Sequence, residues 1–246
     1  MRIRVPTILL TVVLVGCMHQ QGSPAAESLA EARSAEWLYT EQVVYQENHD
    51  PSDIYLTDGR DLRVTYGAIT WMAVQQWKAG RKLTFAYSEA EGCMLVDAET
   101  NDALPVIAVW AGRHPLDVLL AQDLALTRST LDIVEAYDAS VAHWEREIVR
   151  LYDFYLSSDK IPAGTRQDIQ AERAAWEDYR DRHAKAAKGL YALPQGTMWN
   201  IKGSEHYHEL VRSQAIRLQE MVETIDRAEP AASSGAKQSL DEHKAQ

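Results

Sequence analysis

Residues 131–156 read Leu-Asp-Ile-Val-Glu-Ala-Tyr-Asp-Ala-Ser-Val-Ala-His-Trp-Glu-Arg-Glu-Ile-Val-Arg-Leu-Tyr-Asp-Phe-Tyr-Leu. Within this stretch Val134, Tyr137, Val141, Trp144, Ile148, Leu151 and Tyr155 recur at intervals of 3, 4, 3, 4, 3 and 4. That alternation keeps large apolar side chains on one face of an α-helix, so it predicts a helix of about 39 Å at 1.5 Å per residue. A second helix is expected from near Thr165, where Thr165-x-x-Asp168 resembles a capping box, to near Gly189, with Lys185 and Lys188 in its last turn. A third is expected from about Ser204 to Asp226, its seam drawn through Tyr207, Val211, Leu218, Met221 and Ile225 and widened by Leu210 and Val222. Three amphipathic helices bury one another as an antiparallel bundle. Between the last two, Leu190 to Gly203 reads as a long connection loaded with Tyr191, Pro194, Met198, Trp199 and Ile201. Two accounts stay open: the side chains fold back as a cap on the bundle, or Tyr191, Met198 and Trp199 bind a partner.

Upstream of His114-Pro115 the pattern changes to short alternating runs. Ile54-Tyr-Leu-Thr leads into Asp58-Gly59, a favoured hairpin dipeptide, and Leu62, Val64 and Tyr66 alternate on the far side. Lys82 to Tyr87, Cys93 to Val96 and Leu104 to Val109 read as strands, with turns at Trp77–Gly80 and Glu99–Asp102. Residues 68–77 are ambiguous between strand and helix. The fold class is α+β: a small antiparallel sheet or partial barrel over 37–112, followed by a helical domain over 114–227.

The two ends read differently. Arg2 and Arg4 precede an apolar run from Val5 to Val15, too short for a spanning helix but the length of a signal-peptide core. Leu14-Val15-Gly16-Cys17 looks like a bacterial lipobox, which implies cleavage after residue 16 and lipid attachment at Cys17. Two or more acyl chains hold a protein stably on a membrane. Met18, rather than Asp, follows the Cys and favours the outer membrane over the inner. Residues 17–36, rich in Gln, Ser, Ala and Glu, suit a flexible tether, and residues 228–246 lack a hydrophobic period and suit a disordered tail.

Charge and motifs narrow the function. The 246 residues carry 36 acidic and 25 basic side chains, for a formal charge of −11. Loss of Arg2 and Arg4 with the signal peptide takes it to −13. An acidic chain lacks the basic footprint a nucleic-acid binder needs and suits a basic partner. Two Cys exclude a disulfide-stapled scaffold, and Cys93 suits a small core position. No Gly-rich phosphate loop, nucleophile elbow or zinc-protease motif occurs, so no catalytic residue, metal or cofactor is expected. Glu205-His206-Tyr207-His208-Glu209 is the nearest metal-like run, but histidines two apart diverge on a helix, and a solvated first turn is expected there.

The segment Trp176-Glu-Asp-Tyr179-Arg180-Asp181 is the most specific in the chain. Trp176 and Tyr179 share a helix face, with Trp176 expected in the core and Arg180 on a carboxylate or carbonyl of another helix. Together with Tyr152 in Ile148-Val149-Arg150-Leu151-Tyr152, the loop Gly196-Thr197-Met198, and Leu210-Val211-Arg212 followed by Leu218, it resembles the LprI-like lysozyme-inhibitor domain over about Leu126 to Val222. The resemblance implies a helical domain that acts by binding protein, with lysozyme as the partner. Where that family often carries Cys, this chain has Ala136, His183 and His206, and Val149 and Gln214 replace the usual polar and Arg residues. A bundle held by aromatic packing rather than disulfides is implied. Two functions follow: a lipid-anchored envelope protein that binds another protein, a basic lysozyme among the candidates, or an accessory or assembly lipoprotein without inhibitory activity.

Overall fold

The computed structural model describes residues 37–50, 53–64, 74–100, 102–110, 114–194 and 196–226. Cys17, the signal peptide, the tether, Tyr66 and the C-terminal tail lie outside the described residues.

Among the described residues six strands close into an antiparallel barrel in the order β1-β2-β3-β6-β5-β4. They are β1 (Tyr39–Asp50), β2 (Asp53–Leu56), β3 (Asp61–Val64), β4 (Lys82–Ser88), β5 (Gly92–Asp97) and β6 (Ala103–Trp110). Closure, rather than a partial barrel, depends on β1, which the sequence reading did not pick out. Its first half pairs with β4, from Tyr39↔Tyr87 to Val44↔Lys82, and its second half with β2, from Tyr45↔Leu56 to Asp50↔Asp53. Register shifts between Tyr45 and Glu47 and between Asn48 and Asp50 bend the strand between its two partners, as bulges do. The hairpin at Asp58-Gly59 forms as expected, Gly59 taking the positive φ of 86° that its turn requires.

Alternating residues fill the barrel. Val43 and Tyr45 of β1, Ile54 and Leu56 of β2, Leu62 and Val64 of β3, and Leu83 and Phe85 of β4 are buried, while Val44, Tyr55, Arg63 and Thr84 between them are partly exposed. Val74 and Trp77, from the ambiguous stretch, add to this core, the Trp77 ring meeting Tyr45 edge-on at 5.6 Å. Alternation stops at Ala86-Tyr87-Ser88 and Gly92-Cys93-Met94-Leu95, where successive residues are all buried. Helices cover the β4–β5 end of the barrel from outside.

Among the described residues four helices follow, one more than the periodicity suggested: α1 (Pro115–Leu126), α2 (Thr130–Ser157), α3 (Ala163–Tyr191) and α4 (Met198–Asp226). His114-Pro115 starts α1: Pro115 occupies its first turn and His114 Nδ1 accepts the Leu116 N–H at 3.2 Å. A reciprocal Ser129–Asp132 capping box starts α2, and its seam residues Val141, Trp144, Ile148, Leu151 and Tyr155 are buried.

Several expectations for the later helices need correction. The Thr165–Asp168 capping box does not form, because α3 begins two residues earlier behind Pro162 and puts Thr165 inside the first turn. The long loop from Leu190 to Gly203 is mostly helix, and only residues 192–197 connect α3 to α4. Gly203 was expected to close that loop. Instead it sits within α4 where the Tyr191 ring packs on it, a Cβ there lying 3.6 Å from the ring. Along α4, Met221 is 50% exposed, and Gln214 and Ala215 take the buried face between Val211 and Leu218. Buried His208 likewise departs from the solvated first turn expected around it.

One apolar cluster runs from Ile54, Leu62 and Leu95 in the barrel through Leu116 to Trp144, Ile148, Tyr152, Trp176, Val211 and Leu218 in the helices. Among the described residues, no helix is long and apolar enough to cross a membrane.

Candidate interaction surface at the free end of the bundle

Two regions gather chemistry-bearing side chains, one buried and one exposed. The buried one lies where the barrel meets α2. Arg150 holds Glu147 with Nε at 2.8 Å from Oε2 and Nη2 at 2.6 Å from Oε1, while the Tyr87 hydroxyl donates to the same carboxylate at 3.2 Å. Gln219 of α4 donates to Glu147 at 2.9 Å and lies 3.1 Å from His114 Nε2. Cys93 Sγ is 3.9 Å from that same nitrogen. Three segments far apart in sequence, around positions 87, 150 and 219, therefore meet on one carboxylate.

Electrostatics define what this cluster does. Burial raises the Glu147 carboxyl, but hydrogen bonds and charge from Arg150 outweigh it, and the group is held below the ordinary carboxylate range. Burial pushes the Cys93 thiol well up and the His114 imidazole down to about 4. At neutral pH the thiol is protonated, the imidazole uncharged and the carboxylate tied to Arg150. Such a cluster orders a core and offers no thiolate nucleophile. Its residues are spread over positions 87 to 219, so no local motif announces them.

The motif residues singled out in the sequence form the contacts between helices. Trp176 is 6% exposed and, with Ala187, accounts for the buried positions of α3. Tyr179 stays 51% exposed beside it, ring centroids 6.0 Å apart. Arg180 reaches Glu145 of α2 at 3.3 Å, as expected for a cation bridging helices, and also pairs with its neighbour Asp181 at 2.8 Å. Tyr152 is buried and donates to Glu172 of α3, while Gln214 of α4 donates to both at 3.2 Å. These groups tie three helices together rather than facing a partner.

The exposed region is the end of the bundle remote from α2's contact with the barrel. There the α3–α4 turn carries Leu190, Leu193 and Met198, exposed by 66%, 77% and 68%, and Trp199, exposed by 38%. Leu126 and Leu131, at the α1–α2 connection, are also exposed. A cleft of about 440 Å³ opens beside them between Val134 and Asp138 of α2, Ala184 and Lys188 of α3, and Trp199 and Tyr207 of α4, with Tyr191 in its wall. Tyr191, Met198 and Trp199 thus fall at one end of the molecule, and Met198 does not fold back as a cap. Scattered single apolar residues are normal on a surface, but several at one tip beside a cleft have the form of a protein-interaction site. His183, which stands at a family Cys position, and His206, from the run Glu205–Glu209, are in contact on the α3–α4 face, Nε2 to Nε2 at 2.7 Å. Among the described residues, no three His, Cys, Asp or Glu side chains converge as a metal site.

The described residues thus form a closed six-stranded barrel and a helical bundle with an apolar tip. Residues 125–218, covering α2, α3 and most of α4, match the family model described as Lysozyme inhibitor LprI. The match leaves the barrel outside it. Neither a curated protein nor a solved structure matches the chain.

Proposed function

We propose that this protein is a lipid-anchored envelope protein that binds and inhibits a lysozyme, acting by occlusion rather than catalysis. The match of residues 125–218 to the lysozyme-inhibitor family carries the reading. Three features support it. The apolar tip supplies a surface on which Trp199, Met198 and Tyr191 act as anchors flanking a cleft. The net charge near −13 of the processed chain draws in a basic enzyme and speeds encounter. The lipobox-like Leu14-Val15-Gly16-Cys17 supports a site on the outer membrane facing the periplasm, where an incoming lysozyme must pass.

The test is a cell-wall lysis assay with an animal-type lysozyme and increasing amounts of the protein. Inhibition is expected, with a rate of association that falls as salt rises. Trp199→Ala and Met198→Ala should each weaken inhibition by at least tenfold with little change in melting temperature. Absence of inhibition at all ratios replaces this reading with that of an accessory lipoprotein. Inhibition that survives both substitutions moves the contact surface away from the tip.

A further inference from the structure

We propose that His183 and His206 form a two-histidine site for a divalent transition-metal ion, Zn²⁺ or Cu²⁺, that clamps α3 to α4. This goes beyond lysozyme binding and does not depend on it. The two Nε2 atoms approach to 2.7 Å from adjacent helices, and the rings are nearly parallel, 28° apart with centroids at 5.0 Å. The two Nε2 atoms therefore face one another across the α3–α4 contact. His206 is exposed and His183 partly so, which gives an ion a path from solvent.

Without an ion the contact is narrowly conditioned. One imidazole must donate its Nε2 proton and the other must accept it, and two protonated rings would repel. A metal removes that condition, because each neutral Nε2 offers a lone pair to the same cation. Metal–nitrogen bonds of about 2.0–2.1 Å at a tetrahedral angle place the nitrogens about 3.3 Å apart, so the rings must part by about 0.6 Å and each turn by roughly 35° from their head-on approach. Their surroundings limit larger motion. The Tyr179 ring lies 5.5 Å from His183, and the Tyr191 ring 5.8 Å from His206. The site is organised before an ion arrives, much as supporting groups orient ligands in metal centres.

Ligand chemistry selects the ion. Imidazole nitrogens suit Zn²⁺ and Cu²⁺, whereas Mg²⁺ and Ca²⁺ require oxygen donors. The nearest carboxylate in sequence, Glu205, is engaged by Lys202 at 2.5 Å. Water would complete the coordination sphere, giving an exchangeable clamp rather than a closed structural centre. The clamp bears on the apolar tip, because Tyr191 both touches His206 and lines the cleft beside Trp199.

Zn²⁺ and Cu²⁺ titrated separately into the tag-free full chain, freed of metal with EDTA, test the site by calorimetry and by the nitrogen couplings in the Cu²⁺ spin-resonance spectrum. One site per chain should disappear, or weaken at least tenfold, in His183→Ala and in His206→Ala, and persist in His143→Ala. Zn²⁺ should raise the melting temperature of the parent by a few degrees and leave the two variants unmoved. His183→Gln and His206→Gln replace the alanines if either lowers the metal-free melting temperature. Stoichiometry and thermal response equal to the parent's in both variants would overturn the proposal, as would the absence of binding at submillimolar metal.

Discussion

Gly92 tests the join between barrel and bundle, because its substitution adds a single methyl group at the join. Gly92 has φ +74°, and a Cβ built on it would lie 2.6 Å from Cζ and Nη2 of Arg150 and 3.0 Å from Nε. Gly59 has a similar φ of +86° with nothing within 4 Å of a built Cβ. Alanine at either position bears the left-handed backbone penalty, about 1–2 kcal/mol. Only at Gly92 must a guanidinium also retreat, by roughly 1 Å, to reach ordinary contact distance. That retreat loosens both hydrogen bonds to Glu147, whose side chain is 1% exposed. Breaking a buried pair outright costs about 3–5 kcal/mol, so partial displacement is expected to cost about 2 kcal/mol beyond the backbone effect. Urea unfolding followed by tryptophan fluorescence should give Gly92→Ala a loss of about 3–4 kcal/mol and Gly59→Ala about 1–2 kcal/mol. In an Arg150→Met background the excess at Gly92 should vanish, as a double-mutant cycle requires. Equal losses at the two glycines, or an excess that persists without Arg150, would refute the account of this join.

Acid should destabilise the protein in two stages. His114 and Glu147 both have folded pKa values below their unfolded ones, so the unfolded chain takes up each proton first and stability falls with pH. The His114 contribution is fully present above about 6.5 and is lost by about pH 4, a change of about 3 kcal/mol, with Glu147 adding to the loss below its ordinary range. Urea midpoints at pH 7, 5.5 and 4 measure this, and a His114→Gln variant that keeps the same slope between pH 6.5 and 4 would contradict it. Trp176→Ala should cost about 3–5 kcal/mol, because the indole is the main anchor of α3, whereas Trp199→Ala should cost about 1 kcal/mol or less. Thermal or urea unfolding that ranks them the other way would exchange the roles of anchor and surface contact. Cys17→Ser should release the protein from the membrane fraction or leave an unprocessed precursor. Normal processing and unchanged fractionation would remove the lipid anchor.

Helix α2 was legible almost to the residue, because a seam of seven side chains at intervals of three and four leaves one face to bury. Its partners were harder. Only two positions of α3 are buried, so its sequence carries little apolar period and its start was misplaced. Gly203, a poor helix former, is held inside α4 by the Tyr191 ring, so residues 198–203 read as loop although they begin α4. Strand β1 mixes charges into a weak alternation, since only its middle residues Val43 and Tyr45 point fully inward.

The sequence by itself determined what depends on short-range order. An apolar period of 3.6 or 2 selects helix or strand within a dozen residues, Asp58-Gly59 sets a turn, and Trp176 with Arg180 marks a helix that must meet another. Those choices placed a β region before a helical one and marked the lysozyme-inhibitor resemblance. Tertiary structure decided closure of the barrel, because that depends on β1 pairing with β2 along one half and β4 along the other. It decided the meeting of Tyr87, Cys93, His114, Gln219 and Arg150 around Glu147. It also decided the contact of His183 with His206, 23 positions apart. Pairings across such separations are set by how helices and strands pack in three dimensions, and no spacing along the chain records them.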